Sequence, residues 1–471
     1  MRGQWTEAQW RVIHQPPGNT AVFATPGSGK TTTLVAHVAH VVQHRFVRSR
    51  EVSVITFTRE AAQDVGTRLR QLDLLQGRDA LSLFIGTFHS RIFHLLLQSG
   101  RRVQVVLHAR EQGLLLRQVL RSFGMPHAQT DIVRWIGWLS RLKSRWPLCT
   151  DGLPREVRRV VAAYERSKRR AARWDYDDIL MMYCGLLHDR AVGPPPFRYL
   201  LVDEFQDTNT VQWQIIQAWH RMYDIPVFVV GDDDQAIYGF RGANPEWLLQ
   251  FPQTMPCASV HVLDVNFRSG TEIIQCTQRL IRHNRQRIEK RVCAGVGHAG
   301  QVHCLRWRDE HAQAAGVVKP LQQSGVLGMT SAGQDILGEK VAVLARTRKQ
   351  LAALWPWLAG TGVELRTFHD AKGKEWDEVH LIGCAFPNPY LFPAAGERNR
   401  RRLSGRLTGC DGLGADRFSD AGEEERRLFY VAMTRAKQRL FLHVPERMAG
   451  IPVQPLPYLR ESGLWMEPGE S

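Results

Sequence analysis

The feature that most constrains this chain lies near its N-terminus. A short apolar run, Thr20–Ala24, leads through Ala24-Thr25-Pro26-Gly27-Ser28-Gly29-Lys30-Thr31 into a helical pattern over Thr32–Val42. Strand, glycine-rich turn and helix in that order make a cradle for phosphate. Glycines let successive backbone N–H groups turn toward an anion at a helix N-terminus, a lysine reaches the terminal phosphates, and a hydroxyl serves Mg²⁺. Ala24 stands where the usual pattern opens with Gly. The loop residues Ala24, Thr25, Pro26, Gly27, Ser28, Gly29, Lys30, Thr31 and Thr32 are therefore expected to hold ATP, with Thr31 on the metal.

Such a loop needs a buried parallel strand behind it, and the rest of the chain supplies candidates. Apolar runs recur at Val52–Phe57, Tyr199–Asp203, Val227–Gly231, Lys340–Ala345 and Val379–Gly383, most of them followed by a turn and a helical pattern. Continuous apolar runs of this length suit strands covered on both faces, so an α/β fold of parallel sheets is expected. At 471 residues the chain is long enough for three or four domains of ~100–200 residues each. Two α/β blocks emerge: 1–90 with 196–255, and 256–471. Within the first block 91–195 reads as a helical insertion, with Ile132–Arg145 and Pro154–Arg170 its clearest helices and Pro194-Pro195-Pro196 its end. The Gly- and Arg-rich stretch 388–422 reads as a surface loop.

The second apolar strand with chemistry at its end is Tyr199-Leu200-Leu201-Val202-Asp203-Glu204-Phe205-Gln206-Asp207. Beside a phosphate loop, the first acid of such a pair holds Mg²⁺ and the second can orient and polarise the attacking water. Composition adds a partner. Lys and Arg number 62 against 46 Asp and Glu, a net charge of +16. A surface so basic attracts a polyanion; only ten of the 62 are Lys, an imbalance that codon bias alone would also produce. The eight Cys are scattered without a C-x-x-C pair, so no zinc ribbon, iron–sulfur cluster or disulfide framework is implied. That usage fits a reducing cytoplasm, and no apolar run nears the ~18 residues of a membrane span.

Taken with the motifs that follow, the chain resembles the UvrD/Rep-type superfamily 1 DNA helicases over nearly its whole length. Asp203-Glu204-Phe205-Gln206 is similar to the DExQ box, and Trp5-Thr6-Glu7-Ala8-Gln9 to the Q motif, in which Gln9 would read adenine with both amide groups. Val54–Ala62 resembles motif Ia and Ile85–Ser90 the next DNA-contacting motif. Val230–Ala243 resembles motif III with Phe240 in place of the usual Trp. By that resemblance Phe57, Thr58, Thr87, Phe88, His89, Tyr238, Phe240 and Arg241 would contact DNA, and Gln235 would sense the γ-phosphate. Aromatic platforms suit that task because every base has a π-face.

In the second block Asn266-Phe267-Arg268-Ser269, Thr367–Asp377 and Glu424–Lys437 resemble motifs IV, V and VI. The resemblance implies two RecA-like domains. Arg268 and Arg435 would serve the γ-phosphate from across the cleft, Glu375 would bind the ribose and His369 the DNA backbone. Lys374 replaces the family's Leu, and either touches phosphate or is simply exposed. The segment Trp174–Leu180 matches one these proteins carry before the DExQ strand and reads as structural, since its Asp residues lack an evident chemical partner. The large 2B subdomain that relatives insert before motif V is expected to be absent or minimal.

The implied activity is 3′ to 5′ movement on single-stranded or 3′-tailed duplex DNA, coupled by ATP and Mg²⁺ to strand separation. Two other readings stay open: a translocase that strips proteins or drives a partner nuclease without unwinding, and a nucleic-acid-binding module with a vestigial ATPase. A repair or defence protein is a further possible partner, and a membrane is not.

Overall fold

The structure is a computed structural model. It describes residues 5–71, 82–100, 103–323, 340–390 and 417–465, with side chains from 422 onward in the last stretch. These fall into two compact units, one of residues 5–24 and 29–263, the other of 25–28 and the described chain from 264 onward. Each carries its own parallel sheet, as the apolar runs predict.

In the first unit the strands are β1 (Thr20–Ala24), β2 (Val52–Thr56), β3 (Phe84–Thr87), β4 (Tyr199–Val202), β5 (Val227–Gly231) and β6 (Ser259–Leu263). They lie in the order β3-β2-β4-β5-β1-β6, all parallel. Strands β1, β2, β4 and β5 are buried along their whole length. Helices α1 (Glu7–His14), α2 (Lys30–Gln43) and α3 (Arg59–Gln71) cover the sheet, and Val12, Leu34, Val38 and Val65 join Val54, Leu201 and Phe228 in one core. One boundary differs from the sequence reading. Strand β6 pairs with β1 in full register, so the first sheet runs past residue 255; its partial burial and the polar Ser259 and His261 hid it from a search for continuous apolar runs.

After β3 the chain enters α4 (Phe88–Gln98) and then the insertion: α5 (Ala109–Ser122), α6 (Gln129–Leu142), α7 (Arg155–Arg170) and α8 (Tyr176–His188). Leu116, Leu120, Trp135, Leu139, Val160 and Tyr164 give α5, α6 and α7 a separate core. The acids read as lacking partners have them. Lys143 Nζ lies 2.7 Å from Asp175 and 2.6 Å from Asp178, and Lys168 Nζ lies 2.7 Å from Asp175. Glu165 completes the cluster at 2.8 Å from Lys143. Asp175 and Asp178 also exchange backbone hydrogen bonds at the start of α8. Burial works against the Lys143 charge, but Asp175, Asp178 and Glu165 outweigh it and hold its pKa well above the usual lysine range.

The second unit has β7 (Gln301–Trp307), β8 (Val341–Ala345), β9 (Glu364–Thr367), β10 (Trp376–Ile382) and β11 (Ala436–Pro445), in the order β7-β11-β10-β8-β9 and all parallel. The helix expected near 349–358 is two short ones, Arg348–Ala352 and Trp355–Leu358. Pro356 has no N–H to continue the first, and it is tolerated at the start of the second. Of the expected loop 388–422, residues 391–416 lie outside the described residues, and the chain is already helical from Arg417, in Arg417–Met433. After β11, Gln454–Pro455 pairs with Ala385–Phe386, and Glu461 is held by Arg426 at 2.6 Å.

The lysine–aspartate cluster yields a stability prediction. Lys143→Ala strands buried carboxylate charge and should cost about 3–5 kcal/mol, the range for breaking a buried pair from one side. A denaturant titration of the chain measures it, and a loss under about 1 kcal/mol would mean the cluster is solvated after all.

Candidate nucleotide site and nucleic-acid groove

The phosphate loop sits where β1 ends and α2 begins. Gly27 and Gly29 have φ of 70° and 76°, the left-handed region that lets N–H groups turn inward. Ser28 donates to the Thr25 carbonyl from both its N–H (3.2 Å) and its hydroxyl (2.8 Å), closing the turn. Lys30, the first residue of α2, points to the end of β4, where its ammonium is 3.1 Å from Glu204 Oε1. Thr31 Oγ1 donates to Asp203 Oδ2 at 3.3 Å. Thr32 instead accepts from Arg68 at 3.0 Å, which ties α2 to α3.

Asp203 is 3% exposed. Burial pushes its pKa up to about 6, the charge of Glu204 adds to the shift, and Lys30 opposes it. Glu204 has φ of 51°, a left-handed conformation that turns its carboxylate back over the sheet edge toward Lys30. Strain of this kind is stored where a side chain must be aimed. Thr31 and Asp203 together present hydroxyl and carboxylate oxygens, the hard donors that suit Mg²⁺.

Gln206 joins two strand ends. Its Nε2 donates to Glu204 Oε2, while its Oε1 accepts from the Asp232 N–H at 3.0 Å, just past β5. A Cβ on Gly231 would lie 2.5 Å from that Oε1, so a larger residue there would push the bridging amide out of place. Asp232 in turn holds Gln235, whose Nε2 donates to its carboxylate at 2.6 Å. Sequence reasoning quoted Gln206 within a motif and gave it no role; the bridging amide is visible only once β4 and β5 stand side by side. Gln9 caps α1: its Oε1 accepts from the Thr6 N–H at 2.9 Å, and its Nε2 faces Gly29. Its carbonyl is thus engaged in the cap, which fixes the amide plane.

A cavity of 390 Å³ opens along the same sheet edge, lined by Phe57, Thr58, Thr87, His89, Tyr176 and Arg241 among others. Phe57 and Tyr238 stack at 5.0 Å and 19°, and Arg241 covers the rings of Tyr238 and Phe240 at 5.4 Å each. Phe240 is 45% exposed. Phe88 differs from the expectation of an open platform: it starts α4 and is buried. The Thr58 and Thr87 hydroxyls cap helices, accepting from Ala61 N–H at 3.1 Å and Ser90 N–H at 3.3 Å. His89 Nε2 is buried without a partner, and burial lowers the His89 pKa to about 4, so the ring lines the groove uncharged. Tyr176, from the insertion, was missed as a groove residue; its ring lies 4.7 Å from His89. An aromatic inside the acidic Trp174–Leu180 run was the available signal.

In the second unit Arg268 donates to Glu375 at 2.7 Å, and Lys437 holds the other oxygen of that carboxylate at 2.8 Å. Burial alone would raise Glu375, but Arg268 and Lys437 bring it down to about 2. Arg435 is buried, donating to the carbonyls of Val431 (2.8 Å) and Lys374 (3.3 Å). Lys374 also approaches Glu364 at 3.9 Å. His369 follows β9 on a turn in which its carbonyl accepts from the Lys372 N–H.

The sequence profile of the UvrD/REP helicase N-terminal domain matches residues 5–256, and that of the UvrD-like helicase C-terminal domain matches 358–447. The chain belongs to the UvrD/REP helicase family. It is 29% identical over 331 residues to a protein of Leuconostoc citreum named ATP-dependent DNA helicase PcrA, an alignment covering 67% of this chain and 44% of that protein. It is 29% identical over 384 residues to YjcD of Bacillus subtilis (strain 168), covering 76% and 49%. To the PcrA helicase of Staphylococcus epidermidis it is 26% identical over 362 residues, covering 74% and 48%. The chain thus spans about half the length of the curated relatives it matches. Among the described residues no helix is long and apolar enough to cross a membrane.

The bridge predicts a measurable loss. Gln206→Ala leaves the Asp232 N–H and the Glu204 carboxylate each short of a partner in a buried setting, and should cost about 1–3 kcal/mol. Chemical denaturation reads this directly; an unchanged midpoint would show that the amide is not a structural link.

Proposed function

We propose that this UvrD/REP-family chain is an ATP-driven motor on single-stranded DNA, moving 3′ to 5′ and coupling hydrolysis to strand separation. The observation that carries the reading is the pairing of Lys30 with Glu204 and of Thr31 with Asp203, on the sheet edge that also bears Phe57 and Tyr238. Phosphate chemistry and an aromatic groove therefore share one set of strand ends.

In this mechanism the N–H groups of the 25–31 loop and Lys30 bind the phosphates of ATP. Lys30 exchanges the Glu204 carboxylate for phosphate oxygen, which leaves Glu204 to orient and deprotonate the attacking water. Thr31 and Asp203 would hold Mg²⁺, which when bound offsets phosphate charge. Gln235 answers the presence of the γ-phosphate, and its bond to Asp232 links that response to Tyr238 and Phe240 three and five residues on. Arg268 and Arg435 are the proposed γ-phosphate cations of the second unit, Arg268 by leaving Glu375, which then serves the ribose. Gln9 reads adenine, and His369 contacts the DNA backbone.

We assign the first sheet and its helical insertion to the 1A and 1B parts of such a motor, and the second unit to 2A. We take the 2B subdomain that relatives insert before motif V to be absent or minimal, which β8, the two short helices Arg348–Ala352 and Trp355–Leu358 and then β9, leading straight into Thr367, support. That connection favours a second reading, a translocase that moves on single strands without unwinding or drives a partner nuclease.

ATP turnover with and without single-stranded DNA tests the motor, and displacement of a 3′-tailed duplex separates the two readings. Lys30→Ala should cut turnover to less than about a tenth, because the terminal phosphates lose their fixed cation; higher residual turnover would remove Lys30 from the chemistry. Phe240→Ala should keep basal turnover while weakening its stimulation by DNA, and an undiminished response would exclude Phe240 from the groove.

Acid should weaken metal use in a defined direction. Burial pushes the Asp203 carboxyl up to about 6, and a bound metal must displace its proton. Below that pH the Mg²⁺ concentration for half-maximal turnover should therefore rise about tenfold per pH unit. A constant requirement from pH 7.5 to 5.5 would rule Asp203 out as the metal ligand.

A further inference from the structure

Three stretches of the first unit meet just beyond the C-terminal end of α6. Ser144, two residues past that helix, is buried. Its carbonyl accepts from the Val211 N–H at 2.6 Å, in the first turn of the helix Thr210–Tyr223 that follows the acid-ended strand β4. Trp146 and Gln214 extend the seam: the Trp146 N–H donates to Gln214 Oε1 at 3.0 Å, and Gln214 Nε2 donates to the Trp146 carbonyl at 2.8 Å. The third stretch comes from β5. The Asn244 N–H donates to the Thr208 carbonyl at 3.0 Å, and Ala243 forms a bridge with Asn209.

The Ser144 side chain packs on Gly242. A Cβ on Gly242 would lie 2.5 Å from both Cβ and Oγ of Ser144. Gly242 also has a φ of 86°, so conformation and space both favour glycine there. The Ser144 hydroxyl donates to the Arg141 carbonyl at 2.7 Å, which fixes its rotamer. Each partner leads on to a feature of the groove. Gly242 follows Arg241, whose guanidinium covers Tyr238 and Phe240. Ser144 follows Lys143, which Asp175 and Asp178 hold in the buried ionic cluster. A contact this close in a packed interior passes a displacement on instead of absorbing it.

We propose that Ser144 is a positioning residue through which the helical insertion holds the Tyr238–Arg241 segment in place and so sets the grip of the groove on single-stranded DNA. It acts through Gly242. Its carbonyl bond to Val211 anchors the same point to the helix after the acids, so the aromatic segment keeps a fixed relation to the β4 end. The effect on turnover rests on the motor reading proposed above, whereas the contact does not.

Ser144→Leu in the full chain tests it by pressing on Gly242 without altering the backbone there. The oligothymidine concentration for half-maximal stimulation of ATP turnover should rise about tenfold, the scale of an overpacked contact, while turnover without DNA stays at the parent level. Ser144→Ala, which keeps the Cβ, should behave as the parent. Gly242→Ala should raise the DNA requirement as well, and adding Ser144→Gly should reverse most of that rise because the atoms the new methyl meets are gone. Hydrogen exchange without nucleotide or DNA reads the junction itself, and residues 236–243 should exchange faster in Ser144→Leu. Faster exchange with an unchanged DNA requirement would overturn the positioning role, as would a double variant no better than Gly242→Ala. Unchanged exchange would overturn the contact. A parent whose turnover ignores DNA would refute the motor reading instead; oligothymidine affinity by fluorescence anisotropy then decides for Ser144, and an affinity unchanged in Ser144→Leu would end the proposal.

Discussion

The first unit depends on the charged edge where β1, β5 and β4 end side by side. Parallel strands deliver their C-termini to one side, so a lysine after β1, two carboxylates after β4 and an aspartate after β5 meet without any long side chain having to reach. Burial there strengthens each pairing, and it also makes adjacent carboxylates costly, which is why Asp203 holds its proton more tightly than a surface aspartate. Lys30 offsets that repulsion through Glu204, and an anion that draws Lys30 away changes the balance at the Glu204 carboxylate. Gln206 carries the same edge across to Asp232 and Gln235, whose segment continues into Tyr238 and Phe240. The Lys30–Glu204 pair and the aromatic groove are therefore separated by a few hydrogen bonds.

The helical insertion contributes through a different balance. Two lysines and three acids are withdrawn from water in its interior, and they hold α6, α7 and the start of α8 in one arrangement. Tyr176 follows directly from the capping Asp175, so the cluster sets where that ring lies against His89. A buried ionic cluster gives little net stability compared with an apolar core, and its usual benefit is a single geometry. Here that geometry aims an aromatic into the groove.

Much of this was legible in advance. The phosphate loop, the acid-ended strand and the stretches around Tyr238 and Arg435 were readable because their chemistry requires particular residue types at short spacing. Buried strands such as β1 and β5 were legible for a related reason: both faces are covered, so nearly every position is apolar. Strands β6 and β7 were not, because they are only part-buried and interleave polar residues such as His261, His303 and Arg306, and β11 was hidden by the polar Lys437, Gln438 and Arg439 near its start. Phe88 shows the limit for single residues. An aromatic beside a polar run suits either a platform or a core, and only packing chose the core.

The sequence alone determined the kind of fold and which residues make up the candidate site, since a glycine-rich turn between strand and helix admits few other structures. Tertiary structure decided the partnerships. Lys143 meets Asp175 across 32 residues, Lys30 meets Glu204 across 174, and Arg268 meets Glu375 across 107. None of these follows from local spacing, because a pairing energy falls steeply with distance and solvation. Which charge finds which depends on strand order and burial, and those emerge only when the whole sheet has formed.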